Sequence, residues 1–137
     1  MLALSINYQM LEYRVGTMSI MYFNAQSIVP KFDELCLLVE LHNPDIISIV
    51  ESWLCADIPD DEICIQGYNV FRNDRNRHGG GVLMFIFTSE VLPSHHFSNL
   101  ETLPVVVHHL NFKFCIAAFY IILQIPLVLF LILCLVL

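Results

Sequence analysis

The stretch "NPDIISIVESWL", residues 43–54, decides the fold class of this chain. Asn43-Pro44 ends any preceding helix, because the residue before a proline is pushed out of the α region. A run of β-branched residues follows over 45–50 and is typical of a strand meant for burial. The run continues without a break into the carboxylate of Glu51. We therefore predict a buried strand that delivers an acid to the edge of a sheet.

The residues before this stretch predict a second strand and a connecting helix. Residues 18–23, "MSIMYF", form an apolar strand that ends at Asn24. A helix is expected to begin at Pro30, since proline is well tolerated in a first turn. Such a β–helix–β unit is typical of neighbouring strands joined by a crossover. Asn24 and Glu51 should then lie at the same sheet edge, where ligands collect in layered sheets.

Further strands are predicted downstream. "GYNVF" follows a glycine turn, and Gly79-Gly80-Gly81 begins the strand "VLMFIF", where glycines permit close backbone approach or positive φ. Residues 91–103 are expected to form a polar connection, and 103–120 an antiparallel hairpin. The segment 57–62 carries four carboxylates, which indicate either a cation site or, more commonly, an exposed acidic loop.

Composition excludes several classes of protein. The 137 residues are 57% hydrophobic and 14% charged, which argues against disorder, and the net charge of −7 gives no global basic field for nucleic acid. Arg72, Arg75 and Arg77 nevertheless make a local basic patch, which indicates either a phosphate contact or a solvated turn. Five cysteines without a CxxC pair favour free thiols in a reducing, intracellular compartment.

No charged residue occurs from Phe114 to Leu137. As a helix this segment would span about 36 Å, enough for a bilayer. If only residues 127–137 are helical, the length is too short. Translated uracil-rich non-coding sequence would have the same composition. We predict an apolar C-terminal helix over 121–137.

The order of "YFNAQSI", "NPDIISIVESWL", "GYNVFRNDR" and "GGGVLMFI" resembles the endonuclease/exonuclease/phosphatase superfamily. It looks most like the endonuclease domains of non-LTR retrotransposons, and the resemblance covers 18–120. The resemblance implies the N-terminal half of a deoxyribonuclease I-like four-layer α/β sandwich. It also implies hydrolysis of phosphodiester bonds in DNA with Mg²⁺ and no small-molecule cofactor.

The resemblance also implies roles for individual residues. Glu51 matches the metal-binding glutamate of the family, and Mg²⁺ prefers one or two carboxylates with water and substrate phosphate. Asn24 and Tyr120 match catalytic residues at the phosphate. Arg72, Arg75 and Arg77 are expected to bind nucleic acid. Gln26 departs from the family, because some members carry a second metal-coordinating acid at that position.

These observations predict three segments: an N-terminal extension over 1–17, a truncated endonuclease-like domain over 18–120, and an apolar tail over 121–137. We expect the domain to be inactive alone, because the Asp-x-Asn and Asp-His segments that follow Tyr120 in the family do not occur. The alternative is a small membrane-associated protein without catalysis, anchored through residues 114–137. A third reading is a gene product that has no function and folds poorly.

Overall fold

The computed structural model describes the backbone of residues 13–15, 18–87, 91–93, 101–109, 112–120 and 131–133, and the side chains of 19–87. The chain is α/β, with one α-helix and two sheets in the described residues. Two short 3-10 helices cover Val29–Lys31 and Asp60–Ile63. The other elements are, in chain order, β1 (Tyr13–Val15), β2 (Met18–Asn24), α1 (Phe32–His42), β3 (Ile46–Val50), β4 (Asn69–Asn73), β5 (Val82–Ile86), β6 (Val91–Pro93), β7 (Glu101–His109), β8 (Phe112–Tyr120) and β9 (Leu131–Leu133).

The first sheet has the strand order β1-β2-β3-β5-β4. Strands β2 and β3 are parallel and are connected by α1, which confirms the predicted β–helix–β unit. Every other pairing in this sheet is antiparallel. β1 lies within the segment predicted as an N-terminal extension, and it adds an edge strand beside β2.

The helix begins later than Pro30. The backbone first makes the 3-10 turn Val29–Lys31, and the α-helix starts at Phe32 because Lys31, with φ −112° and ψ 6°, departs from α geometry. At the other end, Asn43 has a left-handed φ of 45°, and its N–H donates to the Val39 carbonyl. Asparagine tolerates this conformation, and Pro44 prevents the helix from continuing.

β3 is buried on both faces, as its β-branched run predicts. On one face, Ile47 and Ile49 share a hydrophobic cluster with the α1 residues Leu35, Leu38 and Val39. The alternate residues of β3 belong to the opposite face, where the backbones of β7 and β8 lie close to the first sheet. The helix and the second sheet therefore enclose β3 between them.

The second sheet has the strand order β6-β7-β8-β9, with all pairings antiparallel. The predicted hairpin is confirmed as β7 and β8, although β7 begins at Glu101. The expected polar connection over 91–103 is therefore wrong at both ends. Strand β6 contains the apolar pair Val91-Leu92 and lies beside β7. Val91 is in register with Val107, and Leu92 is in register with Val106.

The predicted helix over 121–137 is wrong at Leu131–Leu133, which form β9 and pair with Cys115–Ala117 of β8. The longer helix from Phe114 that would span a bilayer is wrong as well, because residues 114–120 belong to β8. An apolar run without a helical period suits a strand equally well, and the unpaired edge of β8 offers it backbone partners. The other residues of 121–137 lie outside the described part. Among the described residues, no helix has both the length and the apolar character needed to cross a membrane.

Candidate functional site

Asn24 and Glu51 lie at the same edge of the first sheet, as predicted. The parallel register pairs Asn24 with Val50, so Glu51 follows immediately after the partner of Asn24. Both residues stand at the carboxyl ends of their strands. This is the edge at which open α/β sheets bind ligands.

Backbone hydrogen bonds fasten the loop after β2 to the chain after β3. The N–H groups of Ala25, Ser27 and Ile28 donate to the carbonyls of Val50, Glu51 and Ser52, each at 3.0 Å. Within the loop, the Gln26 N–H donates to Asn24 Oδ1 at 3.2 Å. The backbone therefore sets the separation between the two candidate residues, and the Asn24 oxygen faces its own loop.

Four non-glycine residues with positive φ cluster at this edge. Gln26 and Ser27 have φ values of 45° and 79°, and Glu51 and Trp53 both have 55°. A non-glycine residue in this region costs about 1–3 kcal/mol and persists only where the surroundings impose it. Because such residues concentrate at functional sites, the backbone strain is an independent indication that this edge is a functional site.

The Glu51 carboxylate accepts hydrogen bonds from Trp53 and from Gly80. Trp53 Nε1 donates to Glu51 Oε2 at 2.5 Å, and the Gly80 N–H donates to the same oxygen at 3.2 Å. Hydrogen bonds to a charged acceptor are the stronger class and fix its direction. The sequence indicated Glu51 but not these partners, because the Trp53 contact depends on how the chain turns after β3 and the Gly80 N–H comes from the loop before β5.

Gly80 and Gly81 bring the turn before β5 against the chain after Glu51. Their carbonyls accept the N–H groups of Trp53 at 3.0 Å and Ser52 at 3.3 Å. Gly81 has φ +87°, and a Cβ there would stand 2.6 Å from Ser52 Oγ. The predicted close backbone approach of the glycine run is therefore confirmed, and its target is the segment that carries Glu51.

The three arginines occupy different environments. Arg72 donates to Asp74, Asp60 and the carbonyls of Cys55 and Ile58, and its side chain is 15% exposed. The hydrogen bonds that the guanidinium donates to Asp74 raise its pKa above the ordinary value for arginine. Arg72 therefore fastens the 55–60 segment to β4, and a solvated-turn reading is wrong for it.

Arg77 and Arg75 are both exposed. Arg77 pairs with Asp57 at 2.7 Å. Asp57 and Asp60 of the acidic segment thus both face an arginine, which fits the exposed acidic loop better than a cation site. Phosphate binding by the three arginines stays a prediction.

Lys31 is a candidate that the sequence did not reveal. Its ammonium group turns back and donates to the Ala25 carbonyl at 2.5 Å and to the Gln26 carbonyl at 3.3 Å. Nothing in the spacing of the sequence indicates this contact, which depends on the 3-10 turn over Val29–Lys31. Tyr120 is the last residue of β8, opposite Glu101, and its side chain lies outside the described residues.

The donor set at the edge suits a hard cation that retains most of its water. Within residues 19–87, no group of three or more His, Cys, Asp or Glu side chains is placed to hold a metal ion. Mg²⁺ does not require one, since it binds through one or two carboxylates, water and substrate phosphate. A carboxylate has about four lone-pair positions, so the N–H bonds to Glu51 are compatible with a metal contact.

No model of a known protein family matches the chain, and no curated protein is significantly similar to it. The geometry of this edge and the order of the sequence landmarks are therefore the features that indicate a function.

Proposed function

We propose that the chain is a Mg²⁺- and DNA-phosphate-binding domain of the endonuclease/exonuclease/phosphatase type, with a deoxyribonuclease I-like fold and a retrotransposon origin. One observation carries the proposal: the β2–β3 register and its flanking hydrogen bonds place Asn24 beside the segment that carries Glu51. An amide and an oriented carboxylate at one strained sheet edge suit the binding of a phosphodiester and its cation.

Each residue has a distinct role in this proposal. Glu51 would hold Mg²⁺, which supplies polarisation of a phosphoryl oxygen when it is bound. Asn24 Oδ1 accepts the Gln26 N–H, so the amide nitrogen is the end that can donate to a phosphate oxygen. An amide is a neutral donor and therefore forms no ion pair with the carboxylate that would hold the metal.

Binding, with little or no turnover, is the activity that we propose for these residues. Hydrolysis also requires a base within hydrogen-bond reach of the attacking water. Neither an asparagine nor a carboxylate committed to a cation supplies that base.

The experiment is a Mg²⁺ titration of the whole chain, in which binding is measured by isothermal calorimetry and by tryptophan emission. Trp53 is the only tryptophan in the sequence, and its indole N–H binds the proposed metal ligand. We expect weak Mg²⁺ binding that changes the emission and disappears in Glu51→Gln.

Glu62→Gln is the matched control, because it makes the same substitution at an exposed residue of the acidic segment. It should bind Mg²⁺ as the wild type does. If Glu62→Gln abolishes binding while Glu51→Gln preserves it, the cation binds in the acidic segment and the proposal is wrong.

A further inference from the structure

The Lys31 ammonium is built into the loop that carries Asn24. Its Nζ reaches back six residues to the Ala25 carbonyl and five to the Gln26 carbonyl. Ala25 follows Asn24 directly, and the Gln26 N–H is bonded to the Asn24 side chain. The ammonium therefore contacts the backbone of the two residues that follow Asn24, whose amide is proposed to bind phosphate.

The positive charge of Lys31 is not neutralised by its partners. Both acceptors are uncharged carbonyls, and within the described side chains no carboxylate forms an ion pair with Lys31. An ammonium has three N–H donors, and the two carbonyls occupy two of them. One donor and the full charge are left for an anion.

The loop also restricts where that charge can move. Gln26 and Ser27 hold left-handed backbone angles, and hydrogen bonds to Glu51 and Ser52 fix the loop against the chain after β3. A lysine usually loses considerable side-chain entropy when it binds a ligand. Here part of that entropy is already lost in the folded protein, which favours Lys31 over a freely moving surface lysine.

We propose that Lys31 binds a backbone phosphate of DNA beside the phosphate that Asn24 contacts. This inference rests on the proposed function, because it takes DNA as the ligand of the same edge. The contact is electrostatic and independent of base sequence, as phosphate contacts generally are.

A purely structural role for Lys31 is the competing explanation. In that case the side chain only fastens residues 25 and 26, and its loss would alter stability or affinity without altering the number of phosphates contacted. The salt dependence of binding separates the two, because each neutralised phosphate contributes about 0.9 to the slope of log K against log salt for duplex DNA.

The test measures binding of a short fluorescein-labelled DNA duplex by anisotropy, at fixed Mg²⁺ and several KCl concentrations. Lys31→Gln removes the charge but keeps an N–H donor for the loop, Lys31→Met removes both, and Lys31→Arg keeps both. Lys113→Met is the matched control, since Lys113 is the only other lysine in the chain and its backbone lies in β8.

We expect the salt slope to fall by about 0.9 in both Lys31→Gln and Lys31→Met. The affinity advantage of the wild type over either variant should shrink about 3.5-fold for a fourfold rise in salt. Lys31→Arg and Lys113→Met should keep the wild-type slope. Mg²⁺-dependent Trp53 emission in each variant verifies that the edge is intact.

Two results would overturn the inference, and they differ in meaning. If the wild type binds DNA and Lys31→Gln keeps its slope, Lys31 only fastens the loop, and the proposed function stands. If the wild type does not bind the duplex at any salt concentration, the proposed function fails together with the inference.

Discussion

At the scale of single residues, Glu51 explains why a buried β-branched run ends in an acid. The strand fixes the position of the residue, while the positive φ at Glu51 and Trp53 turns the chain away from the sheet. The indole N–H then reaches the carboxylate that precedes it by two residues. The strain is therefore associated with a specific orientation of the acid, and the apolar run provides the rigid base for it.

Gly81 provides a test of the packing behind that acid. We expect Gly81→Ala to lower the free energy of unfolding by about 2 kcal/mol or more, because φ is +87° and the added Cβ would lie 2.6 Å from Ser52 Oγ. Gly79→Ala is the control, since no atom lies within 4 Å of its Cβ position and its φ lies outside the left-handed range. It should leave stability unchanged or raise it by up to about 1 kcal/mol. Equal effects in urea denaturation would contradict the close approach.

The cysteines of the described region should differ in reactivity. Burial, with smaller contributions from the neighbouring carboxylates Asp33 and Glu40, raises the pKa of the Cys36 thiol. A raised pKa lowers the thiolate fraction at a given pH, and the thiolate is the form that reacts. We therefore expect iodoacetamide to modify the exposed Cys64 before Cys36 at pH 8, as followed by peptide mass spectrometry. Unfolding in guanidinium should remove the difference. Faster modification of Cys36 in the folded chain would show that the helix is not packed as described.

At the scale of elements, Arg72 joins three pieces of the chain. It lies on β4 and donates hydrogen bonds to both carboxylate oxygens of Asp74. It also donates to Asp60 and to two carbonyls in the 55–60 segment. This segment has no regular strand or helix before Asp60, so the guanidinium supplies much of its order. The 3-10 turn that follows contributes Ile63 to the core.

Two arginine substitutions compare a network with a simple surface pair. Arg72→Met should lower the free energy of unfolding by about 3 kcal/mol, because it leaves carbonyls and a half-buried Asp74 without their donor. Arg77→Met should cost less than about 1 kcal/mol, since the Arg77 and Asp57 side chains are 61% and 78% exposed. Urea denaturation of both variants measures the contrast. A loss for Arg77→Met as large as that for Arg72→Met would refute this ranking.

The sequence predicted local elements better than it predicted contacts between them. The β-branched run was sufficient to predict β3, and Asn43-Pro44 was sufficient to predict the end of α1. Both signals depend on the chemistry of a few adjacent residues. The sequence does not predict the partners of Glu51, which are the Trp53 indole N–H and the Gly80 backbone N–H. Both lie in irregular segments, whose conformation no periodic residue pattern indicates. The apolar run over 121–137 was misassigned at β9, because whether it forms a strand depends on the free edge of β8 and not on its own pattern.

At the scale of the whole molecule, the central strand determines how the layers depend on one another. β3 pairs with β2 on one side and β5 on the other, and all of its residues are buried. Helix α1 covers one face of the sheet, while β7 and β8 lie close to the other. Loss of either layer would expose β-branched side chains of β3 to water. The two layers are thus coupled through one strand.

Native-state hydrogen exchange tests this coupling. We expect the slowest amides to lie in β3 and β5 and to exchange only through global unfolding. Amides of β4 that point away from β5 should exchange more easily, because β4 ends the sheet and its residues are partly exposed. We expect their exchange free energy to lie on the order of 1 kcal/mol or more below the free energy of global unfolding. If the second sheet unfolds with the first, the amides shared by β7 and β8 will show the same exchange free energy and the same denaturant dependence as those of β3. Exchange of β7 and β8 at a clearly lower free energy, with β3 still protected, would show instead that the helix alone maintains the central strand.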